Sequence, residues 1–194
     1  MIAQIDSKYY TSKEYLQLEE ISETKNEYLN GEIIPMAGGT TNHNKLALNF
    51  CRAFPLTIND QDYDIYMNDV KLSIPEYQIY TYPDIMIIEG EPSYESNNST
   101  IVTNPKIIIE ILSSSTQHYD RHNKFRFYRS LPTLQEYILI SQSSYYLEQF
   151  VKQDDQQWLF KATEGEDNHL CLKTVDYSIS FTNLYHRIKF DTSN

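Results

Sequence analysis

The chain has 194 residues, of which 40% are hydrophobic and 13% aromatic, and a formal net charge of −11. That length suits one domain burying roughly 70% of its unfolded surface, and residues 1–194 are read as a single unit. The charge excludes a protein coated in phosphate contacts, since non-specific nucleic-acid affinity comes mainly from Lys and Arg; no apolar run approaches the ~20 residues of a membrane helix.

The opening stretch MIAQIDSKYY lacks a basic-then-apolar signal pattern, so the expected location is cytoplasmic. Cys51 and Cys171 stand far apart without CxxC spacing, which predicts packed, reduced thiols rather than a zinc site or a disulfide. Thr11-Ser12-Lys13-Glu14 matches a capping box and predicts a helix to about Ser22, with Tyr15 and either Leu16 or Leu18 on its apolar side. Asn30-Gly31, between Asn26–Leu29 and Glu32–Met36, is the dipeptide best suited to a two-residue hairpin turn. Glu27 is then either an edge-strand surface acid, the reading the residues alone favour, or an acid aimed at a site.

After Gly38-Gly39, Thr41 or Asn42 is expected to cap a helix running to about Phe54, with Leu46, Phe50 and Phe54 along an apolar stripe and Pro55 as its stop. His43 lies in the first turn, where a capping or packing role is expected in preference to ligation. Strands follow near Tyr63–Met67 and Val70–Ile74, and another opens at Asp84. Residues 89–104 read as a mobile polar loop.

The strongest signal is Pro105–Leu131, where the apolar strand Ile107–Leu112 meets a basic helix through a hydroxyl-rich turn at Ser113-Ser114-Ser115. Strand side chains alternate, so Ile108, Glu110 and Leu112 share one face. A carboxylate there is costly unless a cation, donors or water meet it. If the Asp84 and Glu110 strands are neighbours, their acids converge, and two close carboxylates repel unless a divalent ion such as magnesium or manganese lies between them. The following segment carries Arg121, Lys124, Arg126 and Arg129 against only Asp120, a local +3 on an acidic protein. His118 and His122 have i,i+4 spacing but no third ligand in view, so solvent or phosphate contact is the expected role.

A return strand at Glu136–Ile140 predicts a parallel right-handed crossover, hence an α/β core with a mixed sheet and flanking helices. Strands near Tyr145–Val151, Trp158–Lys161, His169–Lys173 and Val175–Ser180 read as a C-terminal antiparallel meander, with a covering helix near Thr182–Ile188.

In Glu27-Tyr28-Leu29-Asn30-Gly31-Glu32, Tyr82-Pro83-Asp84, Ile109-Glu110-Ile111-Leu112-Ser113-Ser114-Ser115-Thr116, and Tyr119-Asp120-Arg121 with Lys124 and Tyr128, the sequence resembles the Uma-type family of endonucleases, within the PD-(D/E)XK restriction endonuclease-like superfamily. The resemblance covers roughly residues 10 to 190. It implies that Asp84 and Glu110 bind magnesium or manganese, that Glu27 is an auxiliary acid, and that a lysine positions or activates water. The superfamily's lysine stands two residues after the second acid, but Leu112 occupies that place. Lys124 on the following helix is the candidate replacement, and Arg121 and Arg129 are candidates for flanking phosphates. The expected activity is metal-dependent hydrolysis of DNA by a homodimer. The alternative is a catalytically inactive nucleic-acid-binding or scaffold protein of the same fold, for which the 17 tyrosines would suit a contact surface.

Overall fold

A computed structural model describes residues 9–95, 99–113 and 117–190. Helix α1 (Ser12–Ile21) starts with the expected reciprocal cap: the Glu14 amide donates to Thr11 Oγ1 at 3.2 Å, and Glu14 Oε2 accepts from the Thr11 amide at 2.7 Å. Tyr15 is fully buried and donates its hydroxyl to Asn26 O at 2.6 Å, fastening α1 to the next strand. Leu16 joins that packing, whereas Leu18 is 42% exposed. Strands β1 (Asn26–Leu29) and β2 (Glu32–Pro35) form the hairpin, with Asn30 at φ 45° and Gly31 at φ 106° supplying the left-handed turn.

Helix α2 (Thr41–Ala53) is capped one residue earlier than expected, because Thr40 Oγ1 accepts from the His43 amide at 3.1 Å. Its Leu46 and Phe50 are fully buried, and Phe54 ends it ahead of Pro55. Next come β3 (Thr57–Ile58), β4 (Gln61–Met67), β5 (Lys71–Ile74), β6 (Ile79–Thr81), β7 (Ile85–Glu89), β8 (Ile101–Val102) and β9 (Ile107–Leu112). Strands β3, β6 and β8 escape the sequence reading: β3 and β6 are only two and three residues long, and β8 lies inside the stretch expected to be a loop. There Val102 bridges Tyr94, and Asn104 Oδ1 accepts from the Ser93 amide. The Ser114 and Ser115 part of the expected turn lies outside the described residues.

The basic segment comprises α3 (Gln117–Tyr119), a π-helical stretch (Asp120–Lys124) and α4 (Phe125–Tyr128). It leads back to β10 (Glu136–Ser141), which pairs with β9 in parallel, as a crossover requires. Strands β11 (Tyr146–Lys152) and β12 (Trp158–Glu164) continue as a meander, but β13 (His169–Cys171) and β14 (Ser178–Ser180) form a separate ribbon. The last helix, α5 (Phe181–Leu184), begins and ends earlier than expected, and Phe181 and Leu184 are core residues rather than parts of a polar cover. Cys51 and Cys171 are free, and burial pushes the Cys51 thiol up to about 11.

The main sheet has the order β12-β11-β10-β9-β7-β4-β3, and a second has the order β2-β1-β6-β5-β8. On one face of β9, Ile107, Ile109 and Ile111 pack with Leu46 and Phe50 of α2 and Phe181 of α5. On the other, Ile108 and Leu112 pack with Phe127, Tyr128 and Leu131. Each fully buried isoleucine contributes roughly 1.5–3 kcal/mol, which explains why β9 reads as a nearly continuous apolar run. Among the described residues, no helix is long and apolar enough to cross a membrane.

Candidate active site

The two acids singled out from the sequence meet at the end of the β7–β9 pair. These strands are antiparallel, with Ile85 opposite Ile109, and one more step sets Asp84 opposite Glu110. Asp84 continues the ladder with its side chain: its Oδ2 accepts from the Ile111 amide at 2.7 Å and lies 3.0 Å from His43 Nε2. The Tyr82-Pro83 step carries the chain from β6 in one sheet to β7 in the other. It leaves Thr81 and Asp84 on either side of the crossing.

Glu110 is almost fully buried, and its Oε1 accepts from Lys124 Nζ at 3.0 Å and from the Tyr128 hydroxyl at 2.6 Å. Lys124 also lies 3.4 Å from Asp120 Oδ1. Lys124 thus makes an i,i+4 pair within its own segment and reaches Glu110 at the same time. π-Helical turns recur at functional sites, and this one ends at Lys124, whose side chain is only 14% exposed. Leu112 stays in the apolar cluster with Phe127 and Tyr128. The helix, not the strand, supplies the ammonium.

Glu27 corrects the surface reading that its strand position favoured. The β1–β6 register sets Glu27 next to Thr81, whose hydroxyl donates to Glu27 Oε1. Glu27 also acts electrostatically on Lys124, Tyr119 and Tyr128. The hairpin thus brings its acid to the site from the second sheet.

Burial pushes the Glu110 carboxyl above its ordinary range; Lys124 pulls it back, while Asp84 and Asp120 push it further up. Burial alone would lower the Lys124 pKa, but Glu110, Glu27 and Asp120 outweigh it and hold the ammonium well above the ordinary lysine value. With three acids around one ammonium, the charged lysine is the fixed member and the proton of Glu110 the exchangeable one.

Among the described residues, no three His, Cys, Asp or Glu side chains form a metal cage. The two-carboxylate donor set nevertheless fits magnesium, which is held by one or two carboxylates while water and substrate phosphate complete its shell. Protein donors engage Asp84 Oδ2 and Glu110 Oε1. Among the described residues, the second oxygen of each acid accepts no hydrogen bond. Those oxygens are the ones to offer an ion.

The other candidates are arranged differently. Arg121 donates to Glu148 Oε1 at 2.8 Å and Gln117 Oε1 at 2.9 Å. Arg129 is exposed and lies over the Phe125 ring, while Arg126 lies over Phe127 and Tyr77. His118 and His122 are exposed with stacked rings. Sequence reasoning passed over Thr81 and read His43 as a capping or packing residue, whereas its ring meets Asp84. The only signal for His43 was its place in the first turn after Gly38-Gly39.

A solved structure described as a putative nuclease belonging to DUF820, from Anabaena variabilis, superposes with a TM-score of 0.69, covering 91% of this chain and 97% of that one at 18% identity. The likeness shows a shared fold, a mixed sheet with flanking helices. Residues 12–182 match the family model described as "Uma2: Putative restriction endonuclease", and the chain belongs to that family. Two uncharacterized Synechocystis proteins are similar to it: sll1609 is 45% identical, covering 86% of this chain and 94% of its own length, and slr1290 is 34% identical, covering 92% of each.

Proposed function

We propose that this protein is a divalent-metal-dependent endonuclease that hydrolyses phosphodiester bonds of DNA. The observation that carries the reading is the meeting of Asp84, Glu110 and Lys124 at the end of one strand pair. Asp84 and Glu110 would hold magnesium or manganese. When bound, such an ion polarises a phosphate and lowers the pKa of its water. Lys124 remains a cation at neutral pH, so it cannot accept a proton; it donates to charge developing on the phosphate. Glu27 keeps a further negative charge near that ammonium, and Tyr128 holds the buried oxygen of Glu110. Among the described residues Arg129 makes no ion pair and is exposed to meet a flanking phosphate, whereas Arg121 is held by the buried Glu148 and would have to leave it to do so. The proposed assembly is a homodimer, with the exposed Leu159 and Phe160 of β12 as an available edge.

Incubation of supercoiled and linear DNA with magnesium or manganese tests the reading. Cleavage should appear with the ion, vanish with chelator, and vanish in Asp84→Ala and Glu110→Ala while folding persists. Ion-independent cleavage, or activity surviving both substitutions, would contradict it. Leu112 in the usual lysine position favours a second reading, an inactive nucleic-acid-binding protein, which predicts salt-sensitive binding without cleavage.

A further inference from the structure

We infer that His43 is the positioning residue that fixes the orientation of the Asp84 carboxylate, an inference that rests on the reading of Asp84 as a metal ligand. Two N–H groups converge on Oδ2: the Ile111 amide at 2.7 Å and His43 Nε2 at 3.0 Å. A carboxylate only accepts, so the ring presents its Nε2–H there. This arrangement makes His43 a donor to Asp84 rather than a lone-pair ligand or base. With both donors on one oxygen, the rotation of the carboxylate is set and Oδ1 is left for an ion.

The backbone that carries the ring is itself anchored. The His43 amide donates to Thr40 Oγ1, and that hydroxyl donates to Gln142 Oε1. Gln142 Nε2 in turn donates to Leu112 O at 3.0 Å. The path therefore leaves β9 at Leu112, crosses the start of α2, and returns to β9 at Ile111 through His43 and Asp84. Gly39 completes the seat, because a Cβ there would lie 3.2 Å from His43 Nδ1 and crowd the ring. Loss of a group that orients a metal ligand typically weakens ion affinity about 10–100-fold.

Calorimetric titration of manganese into the full chain, with circular dichroism to verify folding, tests the inference. His43→Ala should bind manganese about 10–100-fold more weakly than the wild type. His43→Asn, whose amide is too short to reach Asp84, should behave alike. His43→Gln, whose terminal amide can stand near the Nε2–H position, should recover most of the affinity, as a base or a required imidazole ligand would not. Wild-type affinity in His43→Ala or His43→Asn, or no recovery in folded His43→Gln, overturns the positioning role alone. No manganese binding by the wild type overturns the metal reading and the inference with it.

Discussion

Glu110 has the most consequential chemistry of any single residue in the site, because its environment opposes its own charge. Its carboxyl is raised from 4.5 to about 8, first by burial. The folded state therefore binds its proton more tightly than the unfolded chain does, so this contribution to stability is complete below 4.5 and lost as pH rises through about 8. Glu110→Gln stays neutral and escapes that loss. Urea denaturation across the window should show the variant gaining on the wild type with rising pH, by at most about 1.4 kcal/mol per pH unit; parallel curves would count against the assignment. At this scale the sequence was informative where a side chain contradicted its surroundings: a glutamate within an isoleucine run had to have partners. Nothing comparable marked His43 or Thr81, which are polar residues at unexceptional positions, and their partners come from segments distant in the chain.

Among the elements, the π-helical turn is the one that brings an ammonium to Glu110, while the strand position two residues after that acid holds Leu112. Leu112 is 5% exposed and packed against Phe127 and Tyr128, while Lys124 reaches Glu110 from the π-helical turn. Leu112→Lys alone should destabilise the fold, since it puts a second ammonium beside the first in an apolar cluster. Lys124→Met should lower cleavage on the order of 10²–10³-fold, the usual cost of a lost preorganised donor. Combining the two should recover part of the rate, and a dead double variant would show that the helix position is indispensable. The hairpin turn gives a separate test. Gly31 has φ 106°, and an added Cβ would meet the Tyr9 ring, so Gly31→Ala should cost about 1–3 kcal/mol in urea denaturation. Asn30-Gly31 and the Thr11–Glu14 box were legible because their chemistry is local. The two-residue β8 and the separation of the β13–β14 ribbon were not, because only tertiary packing decides where such short segments pair.

Over the whole molecule, the charge of −11 limits how nucleic acid can be held. Lys124 and Arg121 are occupied by Glu110 and Glu148. Among the described residues, Arg126 and Arg129 make no ion pair, so few cations near the site are ready for phosphates. DNA affinity should accordingly fall with salt on a shallow log–log slope of about −2, as expected for roughly two neutralised phosphates. A slope of about −6 measured by fluorescence anisotropy would require a basic surface elsewhere. The global plan was readable because one parallel crossover, β9 to β10, organises the sheet and announces itself through its apolar runs. The approach of the β1–β2 hairpin to that sheet was not readable, since it depends on β6 and β7 belonging to different sheets across the Tyr82-Pro83 step.

The most direct measurement is anomalous diffraction from a crystal soaked in manganese. A single peak about 2 Å from oxygens of both Asp84 and Glu110, with Lys124 still on Glu110, is the predicted result. A peak elsewhere, or none with the two carboxylates facing apart, would contradict the shared ion on which the proposed chemistry depends.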